Sequence, residues 1–138
     1  MNTQSTITHL RQITQLKLVS GAAEFGALFD SIQTAPAAFV IESVTEPGES
    51  LTCGQVLQEV KTTITVMIAV TTSRDSTGAA SNQDLDTIRS LIRAKLLGWS
   101  PEAGALGYSL GVGRLMTYRP GLMWWSDTYH TTNTIKSV

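Results

Sequence analysis

A chain of 138 residues, 42% hydrophobic and 15% charged, has enough apolar material for one folded domain and too little charge for a disordered segment. Ten Lys plus Arg against eleven Asp plus Glu leave a net charge of −1, so no global field draws the chain to nucleic acid or an anionic membrane. The lone cysteine, Cys53, excludes an intrachain disulfide, and no apolar run approaches the roughly 20 residues of a bilayer span.

The opening residues, Met1 to His9, lack a basic start followed by an apolar run, so no signal peptide and a cytoplasmic product are expected. Ile7, Leu10, Ile13 or Thr14, and Leu16 fall at helical spacing and predict a helix over 5–16, with an N-cap among Thr3 to Ser5. Lys17 to Val19 reads as a short extended piece. Phe25, Leu28, Phe29 and Ile32 then form the stripe of a second, amphipathic helix, with Ser20 as its cap and Pro36 beyond its end.

Ala37 to Val44 is apolar and branched, the pattern of a buried strand. The Pro- and Gly-containing stretch from Thr45 through Gly54 predicts a flexible loop over 45–56. The clearest strand follows, with Val60, Thr62, Ile64, Val66, Ile68 and Val70 on one parity. Such alternation predicts one core face and one mostly wet face, and the strand is long enough to project beyond its sheet. A polar connection over 72–80 contains Arg74, Asp75 and Gly78.

Ser81 and Asp84 are spaced as a capping pair for a third helix, whose apolar side is Leu85, Ile88, Leu91, Ile92, Leu96 and Leu97. Asp84 and Asp86 are expected in its first turn. Arg89, Arg93 and Lys95 read as a solvated face toward its C-terminal half, and Gly98 stops it. Residues 108–118 with Gly107, Gly111 and Gly113 predict a bent strand, Arg119 to Gly121 a turn, and 122–135 its antiparallel partner. With no repeat or linker, residues 1–138 read as a single domain.

The chemistry-bearing residues do not combine. His9, Cys53 and His130 have no metal-ligand spacing. Ser126, Asp127 and His130 are close in sequence, but on a strand Asp127 and His130 point to opposite faces. Gly111 and Gly113 lack both the rest of a dinucleotide fingerprint and a following helix. The arginines are spread over a loop, a helix and a hairpin rather than one basic run. No catalytic residue, metal or cofactor is therefore expected. Trp124 and Trp125 are different: adjacent tryptophans on a strand face opposite ways. Either helices cover both surfaces, or one Trp anchors a neighbouring chain.

Three motifs carry a family resemblance: IRSLIRAKLLGWSP at 88–101, GVGRL at 111–115 and MWWSDTY at 123–129. With the helix-strand-helix-strand layout of the N-terminal half, they resemble the tail terminator proteins of Mu-like and related tailed phages and prophages. The turn from Tyr118 to Gly121 departs from the acidic turn of that pattern. The resemblance implies an α+β fold: one mixed, mainly antiparallel sheet flanked by about three helices. It also implies a non-enzymatic virion protein, assembled in the host cytoplasm into a homo-oligomeric, hexameric ring. That ring would stop tail-tube growth at the end nearest the head. Its partners would be the tail tube protein, a neck or connector protein, and genomic DNA passing through the lumen without sequence recognition.

On this basis the loops 45–56 and 72–80, the latter with Arg74 and Asp75, are expected at ring or tube contacts. The projecting strand end, with Glu59 and Lys61, is expected there too, and Trp124 and Trp125 in the sheet or at the subunit seam. The competing readings are a neck or head-completion ring and, less favoured, a small enzyme with an unfamiliar site.

Overall fold

The computed structural model describes residues 3–29, 34–50, 54–72, 79–119 and 121–137. In chain order the elements are α1 (Gln4–Leu10), β1 (Leu18–Ser20), α2 (Ala22–Leu28), β2 (Ala37–Ser50), β3 (Leu57–Thr71), α3 (Ala79–Leu96), β4 (Ser109–Arg119) and β5 (Leu122–Lys136). The strands form one sheet in the order β1-β2-β3-β5-β4. The β1–β2 pair is parallel and the other three pairs are antiparallel, which is the mixed α+β arrangement expected.

The alternation of β3 sets the main core. Ile64, Val66, Ile68 and Val70 point to one face, where Leu85, Ile88, Ile92 and Leu96 of α3 pack on them. Ile7 and Leu10 of α1 close the same core, and the predicted stripe extends to Ile13 and Leu16 although the α-helix itself ends at Leu10. Beyond Leu10 the backbone tightens: Ile13 N–H donates to Leu10 O and Leu16 N–H to Ile13 O, three residues back in each case. The tighter turns keep both side chains inward.

The opposite face is not wet. Met67 and Ala69 of β3 join Ala37, Phe39 and Trp124 in a second buried cluster, roofed by Phe25 and Leu28 of α2 and by Phe29. The alternation in β3 predicted one covered face; the short helix α2 supplies a second lid. Its N-cap is Gly21, while Ser20 is the buried end of β1. The stripe's fourth member, Ile32, lies outside the described residues.

Two further expectations are corrected. Residues 45–50 are not a loop but the second half of β2, paired with β3 at Thr45, Glu46, Pro47 and Ser50. Pro47 is accommodated because β1 reaches β2 only at 37–39, so this half is an open edge, and the register shifts just after the proline. Ser81 is not the N-cap of α3, since the helix already includes Ala79. Asp84 and Asp86 consequently lie beyond the first turn, where they give the dipole little.

The glycine predictions hold. Gly98 adopts φ 77° as α3 ends, and the chain then runs back along Tyr108, with Gly98 N–H donating to Tyr108 O at 3.0 Å. The β4–β5 hairpin is antiparallel, with register shifts between Leu110 and Gly113 and between Leu115 and Thr117. The first of these irregularities falls at Gly111 and Gly113, where the glycines predicted a bulge.

Candidate functional site

On the α3 side of the sheet the most organised polar group is an arginine–aspartate–tryptophan cluster. Arg89 Nε and Nη2 donate to Asp127 Oδ2 and Oδ1 at 2.8 and 3.0 Å, and Trp125 Nε1 donates to Asp127 Oδ1 at 2.9 Å. The guanidinium also lies over the Trp125 ring, 4.5 Å from its centroid. Three donated hydrogen bonds satisfy a carboxylate that is 1% exposed. The Asp127 bonds raise the Arg89 pKa above its ordinary value, so the guanidinium stays charged. Arg89 is therefore not part of a solvated face.

Gly113 makes room for this cluster. A methyl group there would collide with Asp127 Oδ1 and sit 3.2 Å from both Arg89 Nη2 and Trp125 Nε1. At Gly111 it would collide with His130 and Thr128, which belong to the opposite face. Two glycines two residues apart face opposite sides because the bulge between them reverses parity.

The sheet also separates the apparent Ser126, Asp127, His130 constellation. Asp127 is engaged by Arg89 on the α3 side, while His130 Nδ1 and Thr63 Oγ1 share a 2.7 Å hydrogen bond on the other side. His9 is spent structurally too: its ring stacks on Trp99 at 4.0 Å, and its Nε2 contacts Lys95 O at 2.9 Å. Among the described residues no group of three His, Cys, Asp or Glu could hold a metal ion. Cys53 lies outside them.

The two tryptophans divide between the faces. Trp124 is fully buried among Phe25, Phe29 and Phe39, with ring centroids 5.5, 5.2 and 5.8 Å away. It is a core residue and has no surface to offer another chain. Trp125 is half-buried beneath Arg89. Tyr129, also fully buried, has its hydroxyl pKa pushed up to about 12, first by burial and then by the nearby Asp127 charge.

Two surfaces remain without a chemical task. The first is an arm. From Glu42 to Ser50 every residue of β2 is exposed, and this half pairs with the first half of β3, which pairs in turn with the end of β5. Glu59 and Lys61 lie on this arm, Lys61 directly across from Glu46, around a shallow groove completed by Pro47, Gly48 and Thr132. The second is β4, an edge strand on which Leu110, Val112, Leu115, Met116 and Tyr118 are all 42% exposed or more. Sequence reasoning missed this row, because only the strand order places β4 at the sheet edge. Arg74 and Asp75 lie outside the described residues.

A family model described as phage tail terminator protein matches residues 1–137, nearly the whole chain. The chain belongs to the phage tail terminator family. No curated protein matches it. Tail terminators are structural phage tail proteins, so this one acts in the virion tail among other tail components. Among the described residues, no helix of this terminator is long and apolar enough to cross a membrane.

Proposed function

We propose that the protein is one domain that assembles into a ring, hexameric in number, which caps the tail tube, stops its polymerisation and presents the surface to which the head or neck joins. The family match over residues 1–137 carries this reading. Two features of the fold support it. The Arg89–Asp127–Trp125 cluster and the Thr63–His130 pair spend their hydrogen bonds within the fold, in keeping with a structural protein that works by surface complementarity. The sheet also ends in two unlike edges, the acidic arm and the apolar β4, and a head-to-tail ring needs two different patches on each subunit.

The arm residues Glu59 and Lys61 and the segment with Arg74 and Asp75 make ring or tube contacts in this scheme. Trp125 packs within the sheet, beneath Arg89. DNA passes the lumen without being read, in keeping with the near-neutral chain. Assembly takes place in the host cytoplasm before the tail joins the head.

Electron microscopy of particles made without the protein tests the assignment. Over-long tubes without heads are expected. Free tails of normal length would instead indicate a neck component. The double variant Arg74→Ala/Asp75→Ala should fold normally and join tails poorly; unimpaired joining would remove that segment from the contact.

A further inference from the structure

We infer that the exposed edge strand β4 is the seat for the β2–β3–β5 arm of a second copy of this chain, so that successive copies lock arm to edge around the ring. The inference rests on the ring reading above and specifies its seam.

Three observations select the occupant. The first is apolar area. Five large apolar side chains are exposed along the eleven residues of β4. An edge strand this apolar and uncovered pairs or aggregates unless something covers it. In register, Leu110 lies beside Tyr129, Leu115 beside Trp125 and Tyr118 beside Met123, so these three share the α3 side of the sheet, just outside the helix. They form a strip that α3 leaves uncovered.

The second is charge. β4 has Arg114 and Arg119 and no carboxylate. The arm, residues 41–50, 57–61 and 132–137, has Glu42, Glu46, Glu49 and Glu59 against Lys61 and Lys136. A strand with two positive charges thus faces an arm with a net charge of −2, four acids less two bases. Opposite patches of this kind set register and suppress the self-pairing of like edges.

The third is position. β4 closes one side of the sheet, and the free half of β2 lies on the other. A contact between opposite sides joins copies head to tail: it leaves one arm and one edge open and propagates, closing into a ring where the rotation between copies allows. Pro47 and the two register shifts in β2 interrupt its outer row of hydrogen-bonding groups. The arm therefore meets β4 through side chains, with Val44, 45% exposed, adding apolar surface to its acidic length.

Sedimentation of the purified full-length chain tests the seam. The wild type should sediment as a closed oligomer. Val112→Asp/Leu115→Asp alters only exposed side chains and should keep its circular dichroism while weakening self-association by at least about tenfold. Arg114→Glu should weaken it in a salt-dependent way, and adding Glu49→Arg to the same chain should restore it. If wild type and Val112→Asp/Leu115→Asp assemble equally well, or if Glu49→Arg gives no rescue, the arm-to-edge seam is wrong and the ring reading stands. If the Asp variant forms rings but no longer caps tubes, β4 belongs to the tube protein and the inference is overturned. A wild type that remains monomeric even when mixed with tail tubes contradicts the ring itself.

Discussion

Asp127 on β5 holds Arg89 on α3 through two parallel hydrogen bonds, while Arg89 covers Trp125, two residues along the same strand. One ion pair thereby ties α3 to β5, the strand inside the β4 edge. Asp127→Ala would leave the guanidinium without its partner in a largely dry setting. With Arg89 still 21% exposed, a loss of about 3 kcal/mol is expected, the low end for a broken buried pair. Arg89→Lys should also destabilise, because an ammonium can neither fork onto the carboxylate nor stack on the indole. Urea unfolding of both variants measures this; a loss within error for Asp127→Ala would mean the pair is solvated.

Gly113→Ala should cost about 1–3 kcal/mol, since the added methyl collides with Asp127. The penalty depends on what it strikes. In an Asp127→Ala background the same change should cost much less, and a double-mutant cycle should give a coupling of about 1 kcal/mol or more. Simple additivity would place the strain elsewhere.

Trp124→Ala should destabilise by about 3–5 kcal/mol, as expected when a buried aromatic leaves a cavity beneath α2. A seam anchor would behave differently, weakening assembly while sparing the monomer's unfolding midpoint. Urea midpoints measured beside oligomer mass separate the two roles.

Much of this architecture was legible in the sequence. The period-two run in β3 and the stripes of α1 and α3 are local patterns, and they predicted the strand, the main core and the fold class. What escaped depends on partners distant in sequence. Residues 45–50 look like a loop because of Pro47 and Gly48, yet pairing with β3 overrides that composition. The second face of β3 looks wet until α2 closes over it, and nothing in β3 itself announces that lid. Arg89 looked solvated because its partner Asp127 is 38 residues away. The apolar row of β4 resembles ordinary core sequence; only its place at the sheet edge makes it a surface.

Tyr129 offers a pH test. Its folded pKa of about 12 lies above the ordinary tyrosine value of 10.0, so the buried ring favours the neutral phenol. The unfolded chain ionises first. This contribution is therefore intact below pH 10 and is lost as the pH rises to about 12, amounting to roughly 2–3 kcal/mol at about 1.4 kcal/mol per pH unit. Tyr129→Phe should flatten that alkaline decline. At neutral pH it should cost little, because the hydroxyl has no hydrogen-bond partner among the described residues. An unchanged alkaline slope in Tyr129→Phe would assign the titration to another group.

Tube length in a purified system probes the central claim most directly. Tail-tube subunits polymerise with and without the full-length protein, and lengths are measured by negative-stain microscopy. The account predicts that added protein arrests growth, with extra density at one tube end and a shorter length distribution as its concentration rises. Tubes that grow to the same lengths at every concentration, with bare ends, would contradict it.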